Sequence, residues 1–207
     1  MTDESKKPYF ILFNGPPRSG KDTLGHQLFG YLLRTGADPI IAEFKEHIRH
    51  VALYILGIQP EDYEARKDEF LPEWHTTLRQ FMIDFSEQFM KPKFGDDVWP
   101  KAAYHALGDL ADNQIVIFTD LGFPVELEYL QSRTDPERVI VVQLEREGCD
   151  WSKDSRNYVF PREKDAGCII IMNKGPVEEV GSVLLHVLDK QFGYAWRSRR
   201  AKQETNP

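Results

Sequence analysis

Apolar positions along this 207-residue chain recur with two alternating periods. Residues 9–13 form a compact apolar run ending at Asn14, Gly15, Pro16 and Pro17, which predicts a buried strand that closes in a turn. From Lys21 the spacing becomes helical: Leu24, Leu28, Tyr31 and Leu32 share one face, and Gly36 supplies a stop just beyond Arg34. Residues 39–42 predict a second short strand, after which Phe44, Ile48, Val51, Ala52 and Ile55 line one side of a helix ended by Gly57 and Pro60. The stretch 61–72 is dense in charge and is expected to be a surface connection. Beyond it, Trp74, Leu78, Phe81, Met82, Phe85 and Phe89 mark a third helix, with Pro92 and Gly95 as its end. A less regular helical pattern covers 98–110.

The second half repeats the alternation. Residues 115–118 predict an apolar strand ending at Thr119 and Asp120, 125–131 a helix, 139–144 a strand and 169–172 the last strand. Val177, Val180, Leu184, Val187 and Leu188 then predict a closing helix, with Pro176 at its start. Parallel neighbours need crossover helices, so the expected fold is a three-layer α/β domain on a five-stranded parallel sheet. Ligands of such sheets lie beyond the carboxyl ends of the strands, and Gly15, Asp120, Glu145 and Asn173 all stand there.

Composition narrows the picture. A hydrophobic content of 41% suits one domain, expected over 1–193, with a helical region at about 44–111, a basic segment at about 145–166 and a polar tail over 194–207. A formal charge of -7 and a pI near 5.4 argue against nucleic acid as a partner, so any phosphate site must be local. The basic cluster Arg197, Arg199, Arg200 and Lys202 lies in the tail and is expected to be a solvated terminus. No apolar run reaches membrane-spanning length and residues 1–8 lack a secretion signal, so no membrane partner is expected and the cytoplasm is the expected compartment. Cys149 and Cys168 are too few for a disulfide framework.

The chemistry concentrates in Gly15-Pro16-Pro17-Arg18-Ser19-Gly20-Lys21-Asp22-Thr23. This segment keeps both glycines and the lysine of the Walker A spacing, with Asp22 where Ser or Thr is usual. Glycines let backbone N–H groups turn inward around phosphates, the helix that follows adds the positive end of its dipole, and Lys21 bridges the outer phosphates. The preceding strand and the following amphipathic helix are the context such a loop needs. Asp22 or Thr23 would supply a ligand for Mg²⁺, and Asp120 has the position of a strand-end acid that holds the metal directly or through water. A strand-end Asp also serves as a helix cap.

Transfer to an acceptor requires a second anion site. Arg79 is the first candidate, since its planar fork matches phosphate oxygens, with Lys45 and Arg49 one helical turn apart as further cations. Trp99 suits stacking on a base, with the Asp97 carboxylate bonding its edge, and Asp120 counts among the acceptor-side candidates as well as the metal ligands. Arg146, Lys153, Arg156, Arg162 and Lys164, interleaved with Trp151, Tyr158 and Phe160, make a segment suited to closing over a triphosphate, with Arg18, Arg146 and Arg156 joining Lys21 in stabilising charge. Asn173-Lys174 begins like a guanine-reading Asn-Lys-x-Asp, but Pro176 stands in the Asp position, which leaves adenine-side contacts or a plain turn.

These residues resemble the deoxynucleoside monophosphate kinases encoded by bacteriophages. The similarity runs through Arg18-Ser19-Gly20-Lys21-Asp22-Thr23, Arg79-Gln80, Asp96-Asp97-Val98-Trp99, Thr119-Asp120 and the last strand and helix with Asn173. The resemblance implies ATP and a deoxynucleoside monophosphate as substrates, a diphosphate and ADP as products, a Mg²⁺ requirement, and compatibility with a homodimer. It also implies that Asp22 is a family trait. In related chains an Arg tends to follow the strand-end Asp closely, whereas Gly122 follows here. A P-loop kinase for another small acceptor, and a nucleotide-binding protein without transfer, stay open on the residues alone.

Overall fold

The computed structural model describes residues 7–111, 114–152, 154, 156–162 and 167–193. Lys153, Lys164 and the basic cluster of the tail lie outside them. The chain resolves into two compact units, Met1–Glu43 with Gly108–Pro207, and Phe44–Leu107.

The first unit is built on a parallel sheet. β1 (Tyr9–Asn14), β2 (Pro39–Ala42), β5 (Ile115–Leu121), β6 (Val139–Glu145) and β7 (Gly167–Met172) stand in the order β2-β5-β1-β6-β7, every neighbouring pair parallel. Side chains alternate between the two faces of a strand. Ile11 and Phe13 point with Ile117, Ile140 and Val142 into a core closed by Leu24, Leu28 and Leu32 of α1 (Lys21–Arg34) and by Val180, Leu184 and Leu188 of α8 (Val177–Phe192). Phe10, Leu12, Phe118 and Val141 take the opposite face, and they are as fully buried as Leu130 of α7 (Pro124–Gln131). Burial on both faces is why these strands are near-continuous apolar runs rather than alternating ones. α1 packs close to β5 because Gly25 faces Thr119, whose methyl group occupies the space a side chain would need. The chain runs from β1 to one side for β2 and β5, then crosses to the other for β6 and β7, so the order reverses at the carboxyl end of β1.

The second unit is helical. α2 (Glu46–Leu56) ends at Gly57 in the left-handed conformation, as a glycine stop requires. The charged stretch expected as a surface connection is more ordered than that: a 3₁₀ turn at Pro60–Asp62, the one-turn α3 (Tyr63–Arg66), and β3 (Phe70–Leu71), which pairs antiparallel with β4 (Thr76–Thr77) in the run expected to be helix. Trp74 therefore sits in a hairpin turn, and the third helix begins only at α4 (Leu78–Asp84), capped by the Thr77 hydroxyl on the Gln80 N–H. Pro92 does not end it. A π-helical turn over Phe85–Met90 widens the helix, and Pro92 enters the first turn of α5 (Lys91–Phe94), where Gly95 closes the run. The wider turn accommodates a residue that has no N–H and would clash with the carbonyl four residues back in a regular helix. Leu78, Ala52, Leu53, Leu56, Ile58 and Leu71 form this unit's own core, and α6 (Val98–Ala106) completes it.

No helix among the described residues is long and apolar enough to cross a membrane.

Candidate functional site: a phosphate-binding loop at the carboxyl edge

β1 ends on the fully buried Asn14, and the loop that follows is shaped by two left-handed residues, Arg18 at φ 65° and Gly20 at φ 99°. Gly20 is the residue before α1, and the N–H groups of the first helical turn have no acceptors within the helix, so they are available to an anion. Lys21 folds back over the loop. Its ammonium donates to the carbonyls of Gly15 at 2.7 Å and Pro16 at 2.9 Å. A Cβ on Gly15 would stand 2.7 Å from both the Leu144 carbonyl and the Ser19 hydroxyl, so the loop needs a bare backbone there. The Ser19 hydroxyl is buried with no hydrogen-bond partner. A buried orphan hydroxyl is costly, and this one lies against the bare Gly15 backbone.

The rim is tied down from several strands. The Asn173 side-chain amide donates to the Ser19 carbonyl at 2.7 Å, while its own N–H donates to the Glu145 carbonyl at 2.7 Å, so the residue after β7 braces the loop from behind. Lys174 is exposed beside it. Arg146, directly after β6, donates to the Arg18 carbonyl at 3.3 Å, which puts its guanidinium at the loop.

The segment after β6 is strapped across the strand ends. Asn14 receives the Val159 N–H at 2.9 Å and donates to the carbonyls of Leu121 at 2.9 Å and Asn157 at 3.2 Å. Gln143 donates to the Val159 carbonyl at 2.9 Å, and the Tyr158 hydroxyl to that of Leu144 at 3.2 Å. Val159 is buried as a result. Just ahead of this strap, Asp154 and Arg156 face each other with a two-pronged ion pair, Nε to Oδ1 at 2.8 Å and Nη2 to Oδ2 at 2.6 Å. Arg156 holds the Asp154 carboxyl below its ordinary range, and Lys21 adds to that effect. The Arg156 guanidinium is in turn raised, first by Asp154 and then by Asp120 and Glu126. Lys21, Asp154, Arg156, Asp120 and Glu126 thus form one electrostatic cluster beside the loop.

Glu126 is its unforeseen member. Its Oε2 accepts the N–H groups of Gly122 at 2.8 Å and Phe123 at 3.0 Å, and burial, reinforced by the Asp120 charge, pushes its pKa up to about 8. A carboxyl three residues after a helix entry is a capping signal that the sequence did display. Asn14 and Gln143, polar residues inside apolar strand runs, carried an equally legible signal.

The donor set decides what cation fits. Among the described residues no three His, Cys, Asp or Glu side chains gather to hold a metal. Asp22 and Thr23 are exposed in the first turn of α1 and Asp120 is buried in β5; all three offer oxygen, the kind of ligand that Mg²⁺ takes.

The residues predicted for an acceptor lie, Asp120 apart, in the second unit. Lys45 stands at the entry of α2, and Arg49 lies over the Tyr63 ring, 5.4 Å from its centre. Arg79 is exposed and reaches Asp68 at 2.5 Å, Asp97 pairs with Lys101 at 2.8 Å, and the Trp99 indole donates to the Ser86 hydroxyl at 2.8 Å.

No family model and no curated protein matches the chain. Among solved structures it is similar to a thymidylate kinase from Ehrlichia chaffeensis, with 15% identity, 88% of this chain and 99% of that one covered, and a TM-score of 0.41. It is also similar to a sugar kinase from Janibacter sp., at 13% identity, 88% and 95% coverage and a TM-score of 0.40. A shikimate kinase from Bacteroides thetaiotaomicron aligns at 12% identity, 92% and 84% coverage and a TM-score of 0.31. At these values the similarity carries no functional argument, and the site has to be judged on its own geometry.

Proposed function

We propose that this chain is a deoxynucleoside monophosphate kinase, which transfers the γ-phosphoryl group of ATP to a deoxynucleoside monophosphate and releases ADP and a deoxynucleoside diphosphate. The observation that carries the proposal is the loop itself: an ammonium group folded over a glycine loop at the sheet's switch point. The resemblance of the sequence to phage kinases supplies the acceptor class.

Gly15, Ser19, Gly20 and the first N–H groups of α1 bind the triphosphate, Lys21 neutralises its outer oxygens, and Asn173 and Lys174 border the nucleoside side. Asp22, Thr23 and Asp120 would hold Mg²⁺, which when bound offsets the charge between the outer phosphates. Arg18, Arg146 and Arg156 present guanidinium groups to the γ-phosphoryl oxygens, where charge is spread in a loose transition state. Lys45, Arg49, Arg79, Asp97 and Trp99 hold and orient the acceptor. No covalent intermediate is needed, because alignment and fixed positive charge account for most of the barrier lowering. A homodimer belongs to the same proposal, and sedimentation of the purified chain tests it.

The deciding assay couples ADP release to each of the four common deoxynucleoside monophosphates and to modified pyrimidine forms. Turnover that depends on one of them supports the proposal. Tight ATP binding with no acceptor-dependent ADP from any of them, or from other small acceptors, replaces it with a nucleotide-binding protein that does not transfer.

A further inference from the structure

Gly122 is buried directly after β5, yet its backbone is in an ordinary region that any residue can adopt, unlike the eight glycines with positive φ. Conformation therefore does not explain a glycine there, and space does. A Cβ on Gly122 would fall on the Cδ of Arg156 and lie 3.0 Å from its Cγ. The aliphatic stem of Arg156 crosses the end of β5 through the gap that the absent side chain leaves.

Three further contacts fix the two sides of this crossing. The Gly122 and Phe123 N–H groups are both held by the Glu126 carboxyl, which sets the backbone beneath the stem. Above it, Asp154 forks the guanidinium and also accepts the Arg156 N–H at 3.0 Å. Immediately beyond, Asn14 and Gln143 pin the strap at Val159, so Arg156 cannot reach the same place by moving its backbone without breaking buried hydrogen bonds. At the far end of the stem the guanidinium lies in the field of Asp120, while its partner Asp154 feels Lys21 of the loop.

We propose that Gly122 is a positioning residue: its missing side chain is the passage through which Arg156 is brought across β5 to Asp120 and the phosphate-binding loop. Any side chain at 122 displaces the guanidinium, even one as small as a methyl group. The role assigned to Arg156 in transfer rests on the kinase proposal, but its placement by Gly122 does not.

The test is a double-mutant cycle of Gly122→Ala and Arg156→Ala in the full chain, read in kcat, in ATP affinity by equilibrium binding, and in thermal stability. Gly122→Ala is expected to lower kcat about 10- to 100-fold with ATP affinity changed less than about threefold, and to cost less than about threefold once Arg156 is already Ala. It is also expected to lower the melting temperature, and Arg156→Ala to restore it by removing the overlap. Full additivity in kcat, or an unchanged kcat in Gly122→Ala, overturns the proposal. Should the single variant not fold, folding of the double variant supports the proposal and its failure overturns it. A readout independent of turnover is the NMR signal of the Arg156 Nε–H. It is expected to be protected by Asp154 in the wild type and to become exchangeable in Gly122→Ala. If no acceptor is turned over at all, the kinase proposal fails, and this signal alone decides the placement: retained protection in Gly122→Ala overturns it.

Discussion

The two units of this protein hold their candidate functional groups in different ways. In the sheet unit several of these groups are fixed by bonds to backbone: Lys21 by two loop carbonyls, Asn173 by the Ser19 and Glu145 backbone, Asn14 by the end of β5 and the strap. In the helical unit, Arg79 and Asp97 are positioned by ion pairs with nearby side chains at the surface. Topology thus builds the candidate phosphate-binding part, because a parallel sheet that reverses its order opens a crevice at that edge. The residues proposed for the acceptor rest instead on side-chain pairs of the helical unit, which can change while the fold stays the same.

Replacing Lys21 with Ala should have the largest effect. Losing a fixed charge aimed at the transferred group is expected to lower kcat by about 10²- to 10³-fold or more while leaving the melting temperature nearly unchanged, measured by steady-state ADP release and thermal unfolding. An intact kcat would remove the distinction between the two units.

Asn14→Ala should act on stability. It strands the Val159 N–H and leaves the Leu121 and Asn157 carbonyls short of a donor, at a cost of about 1–3 kcal/mol in chemical denaturation. Limited proteolysis is expected to open the chain near 157–160 first. Resistance equal to wild type at that point would show that the strap does not depend on Asn14.

Glu126→Gln should change the pH dependence. The unfolded carboxyl loses its proton near 4.5 and the folded one near 8, so the folded protein carries an extra proton between those values. That contribution to stability is fully present below about 4.5 and is lost as pH rises through about 8. The groups that face Glu126 are Asp120, which opposes its ionisation, and Arg156 with the Gly122 and Phe123 N–H groups, which favour it. Glutamine keeps an acceptor for those N–H groups and does not titrate. The variant should therefore lack this decline and melt above wild type at pH 8.5, by a margin that widens as pH rises from 5 to 8. A wild-type melting curve that rises steadily over the same window would contradict the assignment.

The smallest effect on stability is expected in the helical unit. Arg79→Ala removes an exposed pair with Asp68, which should shift the melting temperature by less than about 2 °C. If Arg79 holds the acceptor phosphate, the acceptor KM should rise about tenfold or more with the KM for ATP unchanged. An unchanged acceptor KM would rule out that role for Arg79.

Much of this architecture was legible along the chain. The five strands, the helix after the glycine loop and the left-handed stop at Gly57 follow from period and turn chemistry, which are local. The glycine-lysine spacing located the cradle for the same reason. The misses share a different cause. Pro92 inside a helix depended on a π-helical turn, and the β3–β4 hairpin joins the end of a stretch whose charge density suggested a plain surface connection to the start of a run whose spacing suggested a helix.

The sequence by itself determined the elements, their alternation and the loop, because each arises from interactions among residues a few positions apart. Only the tertiary structure decided that Asn14, Gln143 and Val159 meet, that Glu126 is held protonated near neutral pH, and that Arg156 lies across Gly122. Those facts depend on burial and on residues about 16 to 145 positions apart being brought together, and no local period encodes them.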